Sequence, residues 1–344
     1  MKLNISDRNK VKNILVISLS NIGDIILTFP VLEILKRDFP SAKLSIVVGP
    51  KGESLFQKNP FLDQVYIFDK HQSPLKMIQW IFKLRKKAFD CVIDLRHTAI
   101  PFFLAPKYRA PLLARPKNHL HRLEKHLNRL KTIYPFDPFR VNPEQSRRVE
   151  NHVIREKILC VPEEDKDYVR QLQREQSFEG QKYVVFAPGA ANHEKRWTPE
   201  GFAQVGDQLI EKFQWQVILV GDDKDQDCAQ KVLSLMKQRG VNLCGTLTLL
   251  QLAELLSRCQ LALVNDSAVM HLASYLDVPV VALFGPTDPE YYGPWSERSS
   301  FIRRSLYCPA CLSQDKRGQG LKHQCLQAIL PEDVLEAVRK LVEI

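Results

Sequence analysis

What constrains this chain most is an alternation that runs, loosens, and starts again. Residues 13–20 read NILVISLS, an apolar run of strand length, and after the turn NIGD comes IILTFPVLEILKRDFP, apolar at helical spacing. KLSIVVGP (43–50), VYIFD (65–69) and CVIDL (91–95) repeat the strand signal, with a helix rich in Lys and aromatics predicted over about 74–88. Short, continuous apolar runs between helices predict a parallel sheet covered on both faces, because a strand buried on both sides needs no polar alternation. The pattern resumes with KYVVFAPGA (182–190), WQVILVGDD (215–223), VNLCG (241–245), LALVND (261–266) and VPVVALFG (278–285). Thr198-Pro199-Glu200 marks a helix start, with a capping hydroxyl and a proline at the first helical position. CAQKVLSLMKQRG reads as a helix closed by its glycine, TLLQLAELLSRC as an amphipathic helix, and PEDVLEAVRKLVEI as the last helix.

The expected fold is therefore α/β, built from two doubly wound units. A chain of 344 residues suits two such domains better than one core. From 97 to 135 the alternation gives way to four prolines, between 101 and 116, and then a basic helical stretch. The acidic, polar stretch 162–181 separates the halves, which places the domains at 1–170 and 171–344, with the last helix free to pack back on the first.

Charge divides the chain unevenly. Residues 1–170 hold 31 Lys and Arg against 18 Asp and Glu, a net of +13, whereas 171–344 carry a net of −3. A whole-domain excess of this size predicts an anionic macromolecule or membrane surface as partner of the first half. The cations are not interleaved with a stacking platform of aromatics, so no nucleic acid is expected. No apolar run approaches the roughly 20 residues that cross a bilayer. The opening MKLNISDRNKVKN is too polar for a signal peptide, which predicts a cytoplasmic protein. The first five of eight cysteines stand singly in apolar contexts, as buried thiols do. Cys308, Cys311, His323 and Cys325 form one loose half-site, read as packing or a labile disulfide rather than zinc.

In open parallel sheets, ligands bind beyond the carboxyl ends of the strands. Four strand-ending turns stand out there: Ser20–Asp24, Pro188–Trp197, Gly221-Asp222-Asp223 and Asn265–His271. SNIGD lacks the later glycines of a dinucleotide fingerprint. Asp24 falls in the first helical turn, where the helix field favours a carboxylate, and either caps that helix or presents an acid. In GAANHEKRW, His193, Glu194, Lys195 and Arg196 follow a strand end, where a flexible cation can neutralise phosphate. Asp266 and Ser267 can cap a helix whose free N–H groups suit a diphosphate. His271 lies on the same helical face as Ser267, as a ligand or as a packed core histidine. Asp222, Asp223 and Asp225 read as caps of the next helix rather than as a metal-binding pair.

ILVISLSNIGDIILTFPVLEILK, FAPGAANHEKRWTPEGFAQV, LVNDSAVMHLASYLDVPVVALFGPTDP and YCPAC…HQCL resemble, in order, the hallmark stretches of glycosyltransferase family 9, the ADP-heptose:lipopolysaccharide heptosyltransferases. The resemblance covers most of the chain and is thin between about 97 and 170. It implies a GT-B fold, with two Rossmann-like domains facing across a cleft, acceptor on the first and sugar nucleotide on the second. The family's catalytic base aligns with Asp24. The nucleotide-sugar site would comprise Asn21, Gly23, the phosphate-binding Lys195, and Asp266, Ser267, Ala268 and His271. Ala268 stands where the family has glycine, and Ser18 where it often has a basic residue.

The expected reaction is an inverting, metal-independent transfer of heptose from ADP-heptose to a lipopolysaccharide core or similar anionic glycan. Asp24 would deprotonate the acceptor, while Lys195 and the helix start at Ser267 stabilise the leaving diphosphate. No cofactor is expected beyond the sugar-nucleotide substrate. Arg109, Arg115, Lys117, Arg122 and Lys125 would meet a lipid-linked acceptor on the inner membrane face. A transferase of another sugar, a sugar-nucleotide epimerase, and a non-catalytic membrane-docking protein are the alternatives.

Overall fold

The computed structural model describes residues 3, 5–19, 21–111, 120–136, 157–304 and 324–342. The chain divides into two compact units, Met1–Cys160 and Val161–Ile344. The division falls ten residues ahead of the boundary expected at 170, because the polar stretch after Cys160 is not a linker. Its residues Glu163–Glu175 form a helix that buries Val169 and Leu172, and Gln251 of the second unit donates to Asp165 at 2.9 Å. Three acids in the first turn sit where the helix field favours them. The polarity that suggested a boundary is the solvent face of an amphipathic helix.

The first unit runs β1 (Asn13–Ser18), α1 (Ile22–Ile26), α2 (Phe29–Asp38), β2 (Lys43–Val48), β3 (Gln64–Ile67), α3 (Pro74–Arg85), β4 (Cys91–Asp94), α4 (Ile100–Leu104), β5 (Tyr108–Arg109) and α5 (Arg122–Ile133). Its described strands form one parallel sheet in the order β3-β2-β1-β4-β5. Leu15, Ile17, Val47 and Val92 point from it into a core closed by Phe68, Leu84, Ile100 and Leu104. The strands buried on both faces are the apolar runs of the sequence. The two-residue β5 and the short α4 lie in the region where the periodicity loosens.

The second unit runs α6 (Glu163–Glu175), β6 (Tyr183–Ala187), α7 (Pro199–Phe213), β7 (Gln216–Leu219), α8 (Gln226–Leu235), β8 (Val241–Asn242), α9 (Leu249–Ser257), β9 (Leu261–Asn265), α10 (Ala268–Tyr275), β10 (Val280–Phe284), α11 (Pro289–Tyr292) and β11 (Ser299–Arg303). The described strands make a parallel sheet ordered β11-β10-β9-β6-β7-β8. The last helix, Pro331–Val342, packs on α7, β10 and β11, burying Val334, Leu335 and Val338 beside Phe202. Its apolar stripe is thus buried within the second unit.

Thr198 caps α7, its hydroxyl accepting from Gly201 N–H at 3.2 Å. The helix before Gly240 stops early. Chain direction changes at Met236 because the N–H groups of Lys237 and Gln238 bond the carboxylate of Asp207, at 2.8–3.0 Å.

Numbered from β1, the first sheet reads 3-2-1-4-5; numbered from β6, the second reads 3-2-1-4-5-6. Both orders reverse at one point, between β1 and β4 and between β6 and β9. The chain leaves adjacent strands in opposite directions there, which opens a crevice at their carboxyl ends. The turns after β1, β6 and β9 carry Asp24 and the residues expected at the nucleotide-sugar site.

Candidate functional site

In the first unit, α1 starts directly after β1 and places Asp24 in its first turn. Asp24 does not cap that helix, and Asn21, at the N-cap, makes no side-chain capping bond either. The turn is set by Thr28, whose hydroxyl donates to the Asp24 carbonyl at 3.1 Å and meets buried Ser18 at 2.8 Å. Ser18 therefore serves to fix the turn. The Asp24 carboxylate is left for two guanidiniums: Arg122 Nε lies 3.1 Å from Oδ1, and Arg96 Nη1 lies 3.4 Å from Oδ2.

Arg96 comes from the turn after β4, across the switch point. That turn is wound around Asp94, which accepts from the N–H groups of Arg96 and Thr98 and from the Thr98 hydroxyl. Buried Arg129 ties it to the following loop, donating to the carbonyls of Asp94 at 3.2 Å and Pro111 at 2.9 Å. On α5, His126 sits one turn beyond Arg122. Its Nδ1 lies 3.2 Å from the Leu27 carbonyl, which can only accept, so Nδ1 carries the proton.

The electrostatics divide these groups. Burial favours a neutral Asp24, but Arg122 and Arg96 together outweigh it and hold the carboxyl below its usual range. Burial dominates at Asp94 and raises it, against the hydrogen bonds it accepts. Burial also drives His126 down to about 4, opposed by the Leu27 carbonyl and Asp24. At neutral pH the cluster therefore holds an ionised acid, two cations and a neutral imidazole.

In the second unit, Lys195 ends a short 3₁₀ turn (His193–Lys195) after β6, and Asp266 follows β9. Lys195 Nζ and the Thr287 hydroxyl both donate to Asp266 Oδ2, each at 2.7 Å. Neither Asp266 nor Ser267 caps α10, contrary to expectation. Asp266 is engaged with the cation and hydroxyl, and Ser267, at the N-cap position, makes no capping bond. The Ser267 Oγ is buried with no hydrogen-bond partner among the described residues. Ala268 opens the helix, and His271 lies one turn in, 7% exposed.

Fully buried Asn265 holds the two turns together, accepting from Trp197 N–H at 3.1 Å and donating to the Pro188 carbonyl at 2.8 Å. Arg196 is structural, donating to the Ala190 carbonyl. Asp222 and Asp225 form a capping box with each other, as their spacing suggested.

Of the residues expected at the acceptor, Arg122 reaches Asp24. Arg109 braces α4, bonding the Pro101 carbonyl at 3.1 Å and lying over the Phe102 ring, while Lys125 is half-buried on α5. Arg115, Lys117, Cys308, Cys311 and His323 lie outside the described residues. Cys325 is buried. Among the described residues no group of three His, Cys, Asp or Glu side chains is placed to hold a metal, and no helix is long and apolar enough to cross a membrane. Arg96 and Thr287 were not anticipated, and Asn265 was noted only as the start of its turn. Arg96 and Thr287 follow strand ends, so the reasoning that found Asp24 and Lys195 extends to both.

Comparison with known proteins fits this geometry. Residues 159–322 match the profile of glycosyltransferase family 9 (heptosyltransferase). Lipooligosaccharide heptosyltransferase 2 of Haemophilus influenzae is 24% identical over 96% of this chain and 99% of its own length. Among solved structures, a glycosyl transferase family 9 protein from Veillonella parvula superposes with a TM-score of 0.78 at 23% identity, covering 96% of this chain and 97% of that one. The ADP-heptose lps heptosyltransferase II of E. coli gives 0.73 at 24%, covering 96% and 98%. The two Rossmann-like units are those of a GT-B glycosyltransferase. The second unit carries most of the match to the glycosyltransferase family 9 profile, and lipooligosaccharide heptosyltransferase 2 aligns with the chain along almost its whole length.

Proposed function

We propose that this enzyme transfers a heptose from ADP-heptose, with inversion, to the core of a lipopolysaccharide or a similar anionic glycan on a lipid. One observation carries the donor half of this reading. Lys195, the buried unengaged hydroxyl of Ser267 and the start of α10 converge at the ends of β6 and β9. A cation, a hydroxyl and free backbone N–H groups are what a diphosphate needs. The names of the relatives in H. influenzae and E. coli supply the sugar and the nucleotide.

In the reaction, Asp24 takes the proton of the acceptor hydroxyl as its oxygen attacks the anomeric carbon from the face opposite the diphosphate. The glycosidic bond to the leaving phosphate breaks, and Lys195 with the N–H groups of α10 takes up the charge that develops, so no metal is required of the mechanism. Arg122 and Arg96 keep Asp24 ionised and can pair with anionic groups of the acceptor. The basic first half would work against the anionic inner membrane surface that carries such an acceptor.

Thermal unfolding with ADP, UDP and GDP at equal concentration tests the donor. A ligand at a hundred times its Kd adds about 2.7 kcal/mol of stability. Selective stabilisation by ADP is expected. A selective response to UDP or GDP would discard ADP-heptose, and no response to any would remove the nucleotide site.

A further inference from the structure

Helix α3 is apolar on both sides. Met77, Trp80, Ile81 and Leu84 face the core of the first unit, where they meet Ile100 and Leu104 of α4. The opposite face carries Leu75, Ile78 and Phe82, spaced three and four apart and so aligned along one stripe. On the neighbouring α4, Phe102 and Phe103 also point outward, their rings 5.8 Å apart. All five side chains leave half or more of their surface in solvent. Exposed apolar side chains grouped on two adjacent helices mark an interaction surface, since isolated ones are ordinary and clusters are not.

The surrounding charge selects the partner. Lys76, Lys83, Arg85, Lys86, Lys87 and Lys107 are exposed around these helices, and the sequence has no Asp or Glu from 70 to 89 or from 95 to 111. Protein–protein interfaces are depleted in lysine. A second copy of this chain docking by two-fold symmetry would bring like charges together. Large apolar side chains within a purely cationic surround match an anionic bilayer, whose headgroups attract the cations and whose acyl boundary accepts the rings.

We propose that the outer faces of α3 and α4 are a lipid-docking surface that seats the first unit on an anionic membrane. This deepens the reading of a lipid-linked acceptor and rests on it for its biological purpose, though not for its physics. α4 leaves the carboxyl end of the sheet just beyond Asp94 and Arg96, so docking there would bring the Asp24 cluster close to the lipid surface.

The test is co-sedimentation of the full chain with vesicles of phosphatidylglycerol and phosphatidylethanolamine, or of phosphatidylcholine alone. The substitutions Ile78→Ser with Phe82→Ser, and Phe102→Ser with Phe103→Ser, replace exposed side chains, and unchanged thermal unfolding confirms that the variants fold. The expected result is binding to the anionic vesicles only, reduced about tenfold or more in each double variant. Lys83→Gln with Lys86→Gln should remove mainly the salt-sensitive part. Binding that ignores the apolar substitutions would overturn the proposal. So would failure of the native chain to sediment with anionic vesicles, or a native dimer that Phe82→Ser converts to monomer. Because no donor sugar is present, the outcome is independent of the ADP measurement. Transfer to a delipidated, water-soluble acceptor should be the same in the apolar variants and the native chain.

Discussion

Asp24 Oδ1 and Arg122 Nε lie 3.1 Å apart although 98 residues separate them, one in the first turn of α1 and the other opening α5. The pairing ionises the proposed base and also weakens it, because a carboxylate shared with a guanidinium has less to gain from a proton. Removing the acid tests the proposed role. In Asp24→Asn, turnover should fall by about 10²- to 10⁴-fold, while ADP affinity measured by calorimetry stays unchanged. Full turnover in this variant would exclude Asp24 as the base.

Removing the cation has a different signature. Arg122→Gln takes away the strongest influence lowering Asp24, so its pKa rises. The acid limb of the kcat/KM profile should then move to higher pH. An unmoved limb would mean that Asp24 does not set it.

His126 makes the stability of the first unit depend on pH. Its folded value of about 4 lies below the usual 6.5, so the folded chain keeps the ring neutral while the unfolded chain takes up a proton. The stabilisation is complete above pH 6.5 and is lost as pH falls toward 4, by on the order of 3 kcal/mol. Asp24 has the same sign and acts at lower pH, since its depressed carboxyl stabilises the fold until it is protonated. Urea unfolding from pH 7 to pH 4 should show this slope in the native chain and a shallower one in His126→Gln. Equal slopes in both would assign the dependence elsewhere.

Lys195 is predicted to act mainly on the diphosphate. Lys195→Ala should weaken ADP binding and lower kcat/KM by about 10²- to 10³-fold. It also removes one of the two donors to the Asp266 carboxylate and leaves Thr287 as the other, so a modest loss of stability should accompany it. Unchanged kinetics would separate Lys195 from the site.

Asn265 is the brace under that lysine. Asn265→Ala strands the Trp197 N–H and the Pro188 carbonyl in a buried setting, at about 1–3 kcal/mol for each group. Thermal unfolding should register the loss, and KM for the donor should rise with it because the loop carrying Lys195 is released. A rise in KM with no loss of stability would contradict the bracing role.

The two sheets were legible because strands buried on both faces are written as unbroken apolar runs, and the turns ending those runs fell at the switch points. Caps with local partners, at Thr198 and at Asp222 with Asp225, were legible for the same reason: both partners lie within one helical turn. What spacing could not supply was competition over long range. Asp266 has the residue type and position of a cap, but a charge-assisted bond to Lys195, 71 residues away, takes its carboxylate instead. Gly240 looks like a helix stop, yet the Asp207 carboxylate ends that helix earlier from across the unit. Edge strand β11 was missed because it is half-exposed and carries no apolar run. In α6, the polar face hid a helix behind the composition of a linker.

The contact between Lys195 and Asp266 bears on how quickly the enzyme could empty itself. A lysine that has clasped a diphosphate ordinarily returns to water when the nucleotide departs, and the ion pair must be broken with nothing in exchange. Here a carboxylate lies 2.7 Å from the ammonium, with Thr287 steadying it. If Lys195 holds the donor's diphosphate as proposed, the cation can pass from one anion to the other, so the outgoing nucleotide would not have to leave a bare charge behind. The same carboxylate would then compete with each incoming donor. Some affinity would be given up for faster release, a useful exchange wherever release of the spent nucleotide limits the rate.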